Sequence, residues 1–85
     1  MAVQSKKVTI NTTPVQLVAP DNVRQDVQLH SKHAFFLGGS SGVTSANGYE
    51  VDNGDLLRIT LFEGDQLWAV ASAEGYATLL ISAQT

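Results

Sequence analysis

Short runs of β-favouring residues, broken by turn residues at near-regular intervals, dominate the chain. Val8-Thr9-Ile10 alternates, then stops at Asn11-Thr12-Thr13-Pro14, where proline offers no amide donor to a sheet. Val15-Gln16-Leu17-Val18 follows and is closed by Ala19-Pro20-Asp21-Asn22. Val27 and Leu29 share one face of the next run, Gln28 and His30 the other. Ala34-Phe35-Phe36-Leu37 is apolar on both faces, as expected of a strand covered on its second side. After the loop Gly38-Gly39-Ser40-Ser41-Gly42, Val43-Thr44 reads as a short edge strand and Tyr49-Glu50-Val51 as another. Leu57, Ile59 and Leu61 alternate with Arg58 and Thr60, the clearest half-buried strand. Leu67–Ala71 and Ala77–Ala83 complete the set.

The one stretch with helical spacing, Asp21 to His30, carries Val23, Val27 and His30, but its Val-x-Leu alternation predicts a strand. With about seven or eight short strands and no room for crossover helices, the pattern predicts an all-β fold, a compact antiparallel sandwich or small barrel. Gly54-Asp55-Leu56-Leu57 is echoed by Gly64-Asp65-Gln66-Leu67, which reads as two similar hairpin turns each launching a strand.

Composition narrows the function classes. Hydrophobic residues make up 44% and charged residues 15% of the 85, which argues against intrinsic disorder. The net charge of -3 disfavours a nucleic-acid partner, which needs a basic face. No apolar run is long enough for a membrane-spanning helix, and Met1–Lys7 lacks the apolar stretch of a secretory signal. The absence of cysteine excludes disulfides and thiolate metal clusters. One domain, residues 8–85, is expected, preceded by a flexible N-terminal arm, residues 1–7. A domain this small has a thin stability margin, so an oligomer or a docked subunit is expected rather than a free monomer.

Candidate chemistry is sparse. His30 and His33 point to opposite faces of a continuous strand, and Asp26 is the only nearby carboxylate, a poor metal set. The glycine-rich loop lacks the Lys-Ser/Thr pair of a phosphate cradle; its glycines read as suppliers of positive φ for a wide loop between sheets. Glu50, Asp52, Asp55, Glu63 and Asp65 fall in turns without calcium-loop spacing and read as carboxylates bonding local amides. A Ser41, His33, Asp65 constellation has no elbow or signature behind it, so no catalytic residue, metal or cofactor is expected.

The aromatic residues say more. If Phe35, Leu37, Leu67 and Ala69 fill the core, parity puts Phe36, Trp68 and Val70 on an outer face. Such a patch is either an interface or the seat of a covering loop or arm. With Lys6 and Lys7 of the arm, these three are the candidate partner contacts.

In order along the chain, Val8-Thr9-Ile10-x-Thr12-Thr13, Val15-x-Leu17-Val18, Val27-x-Leu29, Phe35-Phe36-Leu37-Gly38-Gly39-Ser40, Gly42-Val43-Thr44, Gly48-Tyr49-x-Val51-x-x-Gly54-Asp55 and Gly64-Asp65-x-Leu67-Trp68-Ala69-Val70-Ala71 resemble the small β-sandwich virion proteins of tailed bacteriophages, above all capsid decoration and head-fibre base domains. The resemblance runs from Val8 to about Ala83 and consists of strand and turn signals, with no active-site residues to carry over. It implies a non-enzymatic decoration protein on the outer capsid surface, bound to the major capsid protein as a homotrimer, with Lys6 and Lys7 meeting acidic capsid surface. The alternative it leaves open is a head-fibre or tail receptor module, with Trp68, Tyr49 and Tyr76 stacking on host glycan.

Overall fold

In the computed structural model, which describes residues 2–83, the chain forms eight strands and no helix: β1 (Ala2–Ile10), β2 (Val15–Val18), β3 (Gln25–Ser31), β4 (Phe35–Gly38), β5 (Tyr49–Val51), β6 (Leu56–Leu61), β7 (Leu67–Val70) and β8 (Gly75–Ala83). They make two four-stranded antiparallel sheets, ordered β1-β8-β3-β6 and β2-β7-β4-β5. The chain therefore changes sheet at every connection except β4 to β5, and this order is that of an eight-stranded jelly roll.

Each strand turns alternate side chains into the space between the sheets. Val27, Leu29, Leu61, Ala77, Leu79 and Ile81 of the first sheet meet Leu17, Phe35, Leu37, Val51, Leu67 and Ala69 of the second. In β2 the register shifts between Gln16 and Val18, and this bulge lets the consecutive Leu17 and Val18 both be buried. Two polar side chains share the interior and both are satisfied. Gln25 donates to the Ala19 carbonyl at 3.1 Å; the Ser31 hydroxyl donates to the Tyr76 carbonyl at 2.7 Å and accepts the His33 amide at 3.0 Å.

The Gly-Asp echo is a repeated turn. In residues 52–55 the Asp55 amide donates to the Asp52 carbonyl and the Asp55 carboxylate accepts the Asp52 amide. In residues 62–65 Asp65 and Phe62 repeat both bonds. Gly54 and Gly64 occupy the third position with φ of 85° and 83°, a backbone conformation that disfavours any side chain. Neither turn is a hairpin: each carries the chain from one sheet to the other, one into β6 and one out of it.

Three local expectations need correction. Ala2–Lys7, expected as a flexible arm, pair with Thr78–Ala83 as the first part of β1, while Met1 lies outside the described residues. Val43-Thr44 is not a strand but part of the loop joining β4 to β5, whose own bonds knit it. There the Thr44 amide donates to Asn47 Oδ1, Thr44 Oγ1 accepts the Ala46 and Asn47 amides, and the Thr44 carbonyl accepts the Gly48 amide. Finally, that loop lies within one sheet, and its glycines are not at positive φ, which among the described residues occurs at Gly54 and Gly64.

Candidate functional site

Phe36, Trp68 and Val70 do share the outer face of the second sheet, where Phe36 pairs with Val70 and Gly38 with Trp68. They do not form an open patch. The β4–β5 loop folds back so that Val43 is itself buried, and it presses on Gly38 and Gly48. A Cβ on Gly48 would also meet Phe36 Cβ at 2.6 Å, so the loop backbone lies against that ring's base. Val70 is left 8% exposed, which removes it as a surface contact; Phe36 and Trp68 are half-buried. The indole is tethered: Trp68 Nε1 donates to Gln66 Oε1 at 2.8 Å, and the same oxygen accepts from Gln16 Nε2 at 2.9 Å.

Lys6 and Lys7 diverge. Lys7 lies on the outer face of the first sheet with its ammonium 4.2 Å from the centre of the Tyr76 ring. The His33 ring meets Tyr76 edge-on, centroids 5.4 Å apart. Lys6 sits one position back on the inward side of β1, the side of Val8 and Ile10, and is half-buried. The two side chains therefore leave β1 on opposite faces of the first sheet.

The open apolar surface lies elsewhere, on the first sheet and around β6. Val3, Leu80 and Leu56 are exposed on the outer face of that sheet, in a field of Gln28, Thr78 and Ser82. Between β6 and the second sheet an open cleft of about 600 Å³ is walled by Leu37, Leu57, Ile59, Leu61 and Leu67, with Tyr49, 66% exposed, at its rim. The signal for both is present in the chain: Leu79-Leu80-Ile81 and Leu56-Leu57 are apolar at both parities, so one member of each must face out.

The polar candidates are occupied or scattered. Asp55 and Asp65 bond turn amides, as expected of them. His30 is exposed on the outer face of β3 and His33 packs on Tyr76. Ser41, His33 and Asp65 stand in three different parts of the fold. Among the described residues no group of three or more His, Cys, Asp or Glu comes together as metal ligands would.

No protein-family model and no curated protein matches the chain. Solved structures do. The stem and receptor binding domain of the spike protein P1 from bacteriophage PM2 superposes with a TM-score of 0.68 at 19% identity, over 86% of this chain and 30% of that one. The chain thus spans under a third of the length of that solved spike chain. A Bacillus endospore appendage, from a family of disulfide-linked pili, gives 0.57 at 15% identity over 93% of this chain and 85% of that one. A de novo designed double-stranded β-helix gives 0.54 at 14% identity over 95% and 99%. What these likenesses share with the chain is its fold: two packed antiparallel sheets wound as a jelly roll.

Proposed function

We propose that this chain is a non-enzymatic bacteriophage virion structural protein that sits on the outer surface of the capsid and reinforces the major capsid protein lattice as a homo-oligomer. The observation that carries this reading is the likeness to the bacteriophage spike domain over 86% of the chain. The outer face of the first sheet is the surface such docking would use: Val3, Leu80 and Leu56 stand exposed on it among Gln28, Thr78 and Ser82. A rigid sheet face also loses little conformational entropy on docking. The test is to add purified protein to expanded capsids that lack it. Co-sedimentation, and rupture at a higher temperature than bare capsids, are the expected outcomes; Leu80→Glu, an exposed substitution, abolishes both. Failure to co-sediment overturns the reading.

A second reading is favoured by the spike neighbour's description as a stem and receptor binding domain: a receptor module that recognises host glycan. Its weakness is geometric. Trp68, Tyr49 and Tyr76 lie respectively on the outer face of the second sheet, at the rim of the β6 cleft and on the outer face of the first sheet, so they build no common stacking platform. Glycan-array hits lost on Trp68→Ala discriminate for the receptor; silence on the array discriminates against it.

A further inference from the structure

A jelly roll has four strand edges, and in this chain three are guarded. On β1, the half-buried Lys6 points inward, so a strand added there would bury its ammonium. The β2 edge follows Pro14 and carries the bulge at Gln16/Val18. At β5 the edge is only three residues long. The fourth, β6, has none of these devices. Its six residues pair without a register shift to β3, and among the described residues no backbone hydrogen bond joins them to any other segment. Its flanks are apolar: Leu57, Ile59 and Leu61 face inward beside the cleft, while Leu56 is 56% exposed and Phe62, just past the strand, 63%.

We propose that β6 is a homotypic seam, pairing antiparallel with β6 of a second copy about a two-fold axis at Ile59, so that two first sheets become one continuous sheet. The register follows from self-complementarity. Residues directly opposite in an antiparallel pair point to the same face, so a two-fold pairing of β6 centres either on Arg58 or on Ile59. Centring on Arg58 sets that guanidinium against its own copy, a like-charge pair that is disfavoured. Centring on Ile59 sets Leu57 against Leu61 of the second copy and Arg58 against Thr60. It also sets Leu56 against Phe62, so that two of the most exposed apolar side chains of the free chain cover each other, once on each side of the axis. A second copy, rather than a foreign strand, is the occupant because both halves of each pair are already on this edge.

This seam does not rest on the virion reading, and its test needs no capsid. The mass of the purified chain in solution is measured by light scattering across a concentration series up to millimolar. The expected result is twice the 9.1 kDa of one chain. Leu56→Asp and Phe62→Lys, both at exposed positions, each weaken dimerisation by at least about tenfold, since each removes two cross-strand pairs from the seam. The two together in one chain restore it, because each aspartate then faces a lysine of the other copy. A monomer throughout the series overturns the proposal. So does a trimeric mass, a dimer indifferent to the single substitutions, or a double variant that stays dissociated. Far-ultraviolet circular dichroism identical to the parent shows that each variant has kept its fold.

Discussion

Gly38 and Val43 stand so close that nothing larger than hydrogen fits between them: a Cβ on Gly38 would fall 2.6 Å from Val43 Cβ and 2.7 Å from Val43 Cγ2. This contact seats the β4–β5 loop on the second sheet and closes over a face that the strand pattern leaves open. Gly38→Ala is therefore expected to destabilise the fold by about 1–3 kcal/mol, the usual penalty of overpacking. In a Val43→Gly background, which removes both Cβ and Cγ2 and leaves the Val43 Cα at an ordinary 3.6 Å, most of that penalty disappears. A double-mutant cycle by urea unfolding measures the coupling, and additive effects would mean that the loop does not rest on Gly38.

The two Gly-Asp turns separate backbone strain from crowding. A Cβ at Gly64 meets nothing within 4 Å, yet φ is 83°, so Gly64→Ala costs about 1–2 kcal/mol through the backbone alone. At Gly75 the backbone is ordinary but a Cβ would lie 2.5 Å from His33 Cγ. Gly75→Ala is relieved by His33→Gly, which removes the Cβ at 2.9 Å along with the ring; no neighbouring truncation relieves Gly64→Ala. Thermal unfolding of these variants distinguishes the two cases, with a shift of about 4–8 °C for each kcal/mol in a domain of this size.

Asp55 and Asp65 close their turns with equivalent bonds, so their removal should have similar effects. Each change to Ala is expected to cost about 0.5–1.5 kcal/mol, the net worth of one hydrogen bond, and Asn, which keeps an acceptor oxygen, less. If either substitution were silent in chemical denaturation, its carboxylate would not be holding the turn.

Phe35 is 1% exposed and is the largest of the fully buried side chains. Phe35→Ala is expected to cost about 3–5 kcal/mol, a large part of the margin of a small domain. Calorimetry checks it. A loss below that range would mean that the two sheets close over the vacancy.

The strand content is legible in the sequence because local patterning carries it. Leu57, Ile59 and Leu61 alternate over a half-buried face, and Gly-Asp marks each turn around them. The first residues of β1 are not legible, because Gln4-Ser5-Lys6-Lys7 has no apolar alternation. Their pairing with β8, from Lys7 opposite Thr78 to Gln4 opposite Ile81, is a contact across the whole chain.

The covered face escapes the sequence for a related reason. Parity correctly puts Phe36, Trp68 and Val70 on one side of the second sheet, but Val43, which packs on Gly38 of that face, sits in a loop with no periodicity to reveal it. Sheet order is equally hidden, since β8 lies between β1 and β3 through pairings that no local pattern encodes.

The two repeated turns have a consequence for how such a chain can vary. Gly64 donates its amide to the Asp21 carbonyl and Gly54 to that of Ser31, so the turns at the two ends of β6 are pinned, one to the loop that precedes β3 and one to its last residue. β6 is thereby held to a fixed span, like a rung between two rails. One inserted residue would either pull a turn off its anchor or reverse which side chains look inward. Growth and shrinkage are left to the stretch from 39 to 48, which joins two strands of a single sheet, makes its side-chain hydrogen bonds within itself and is held to the sheet by the seat of Val43 on Gly38.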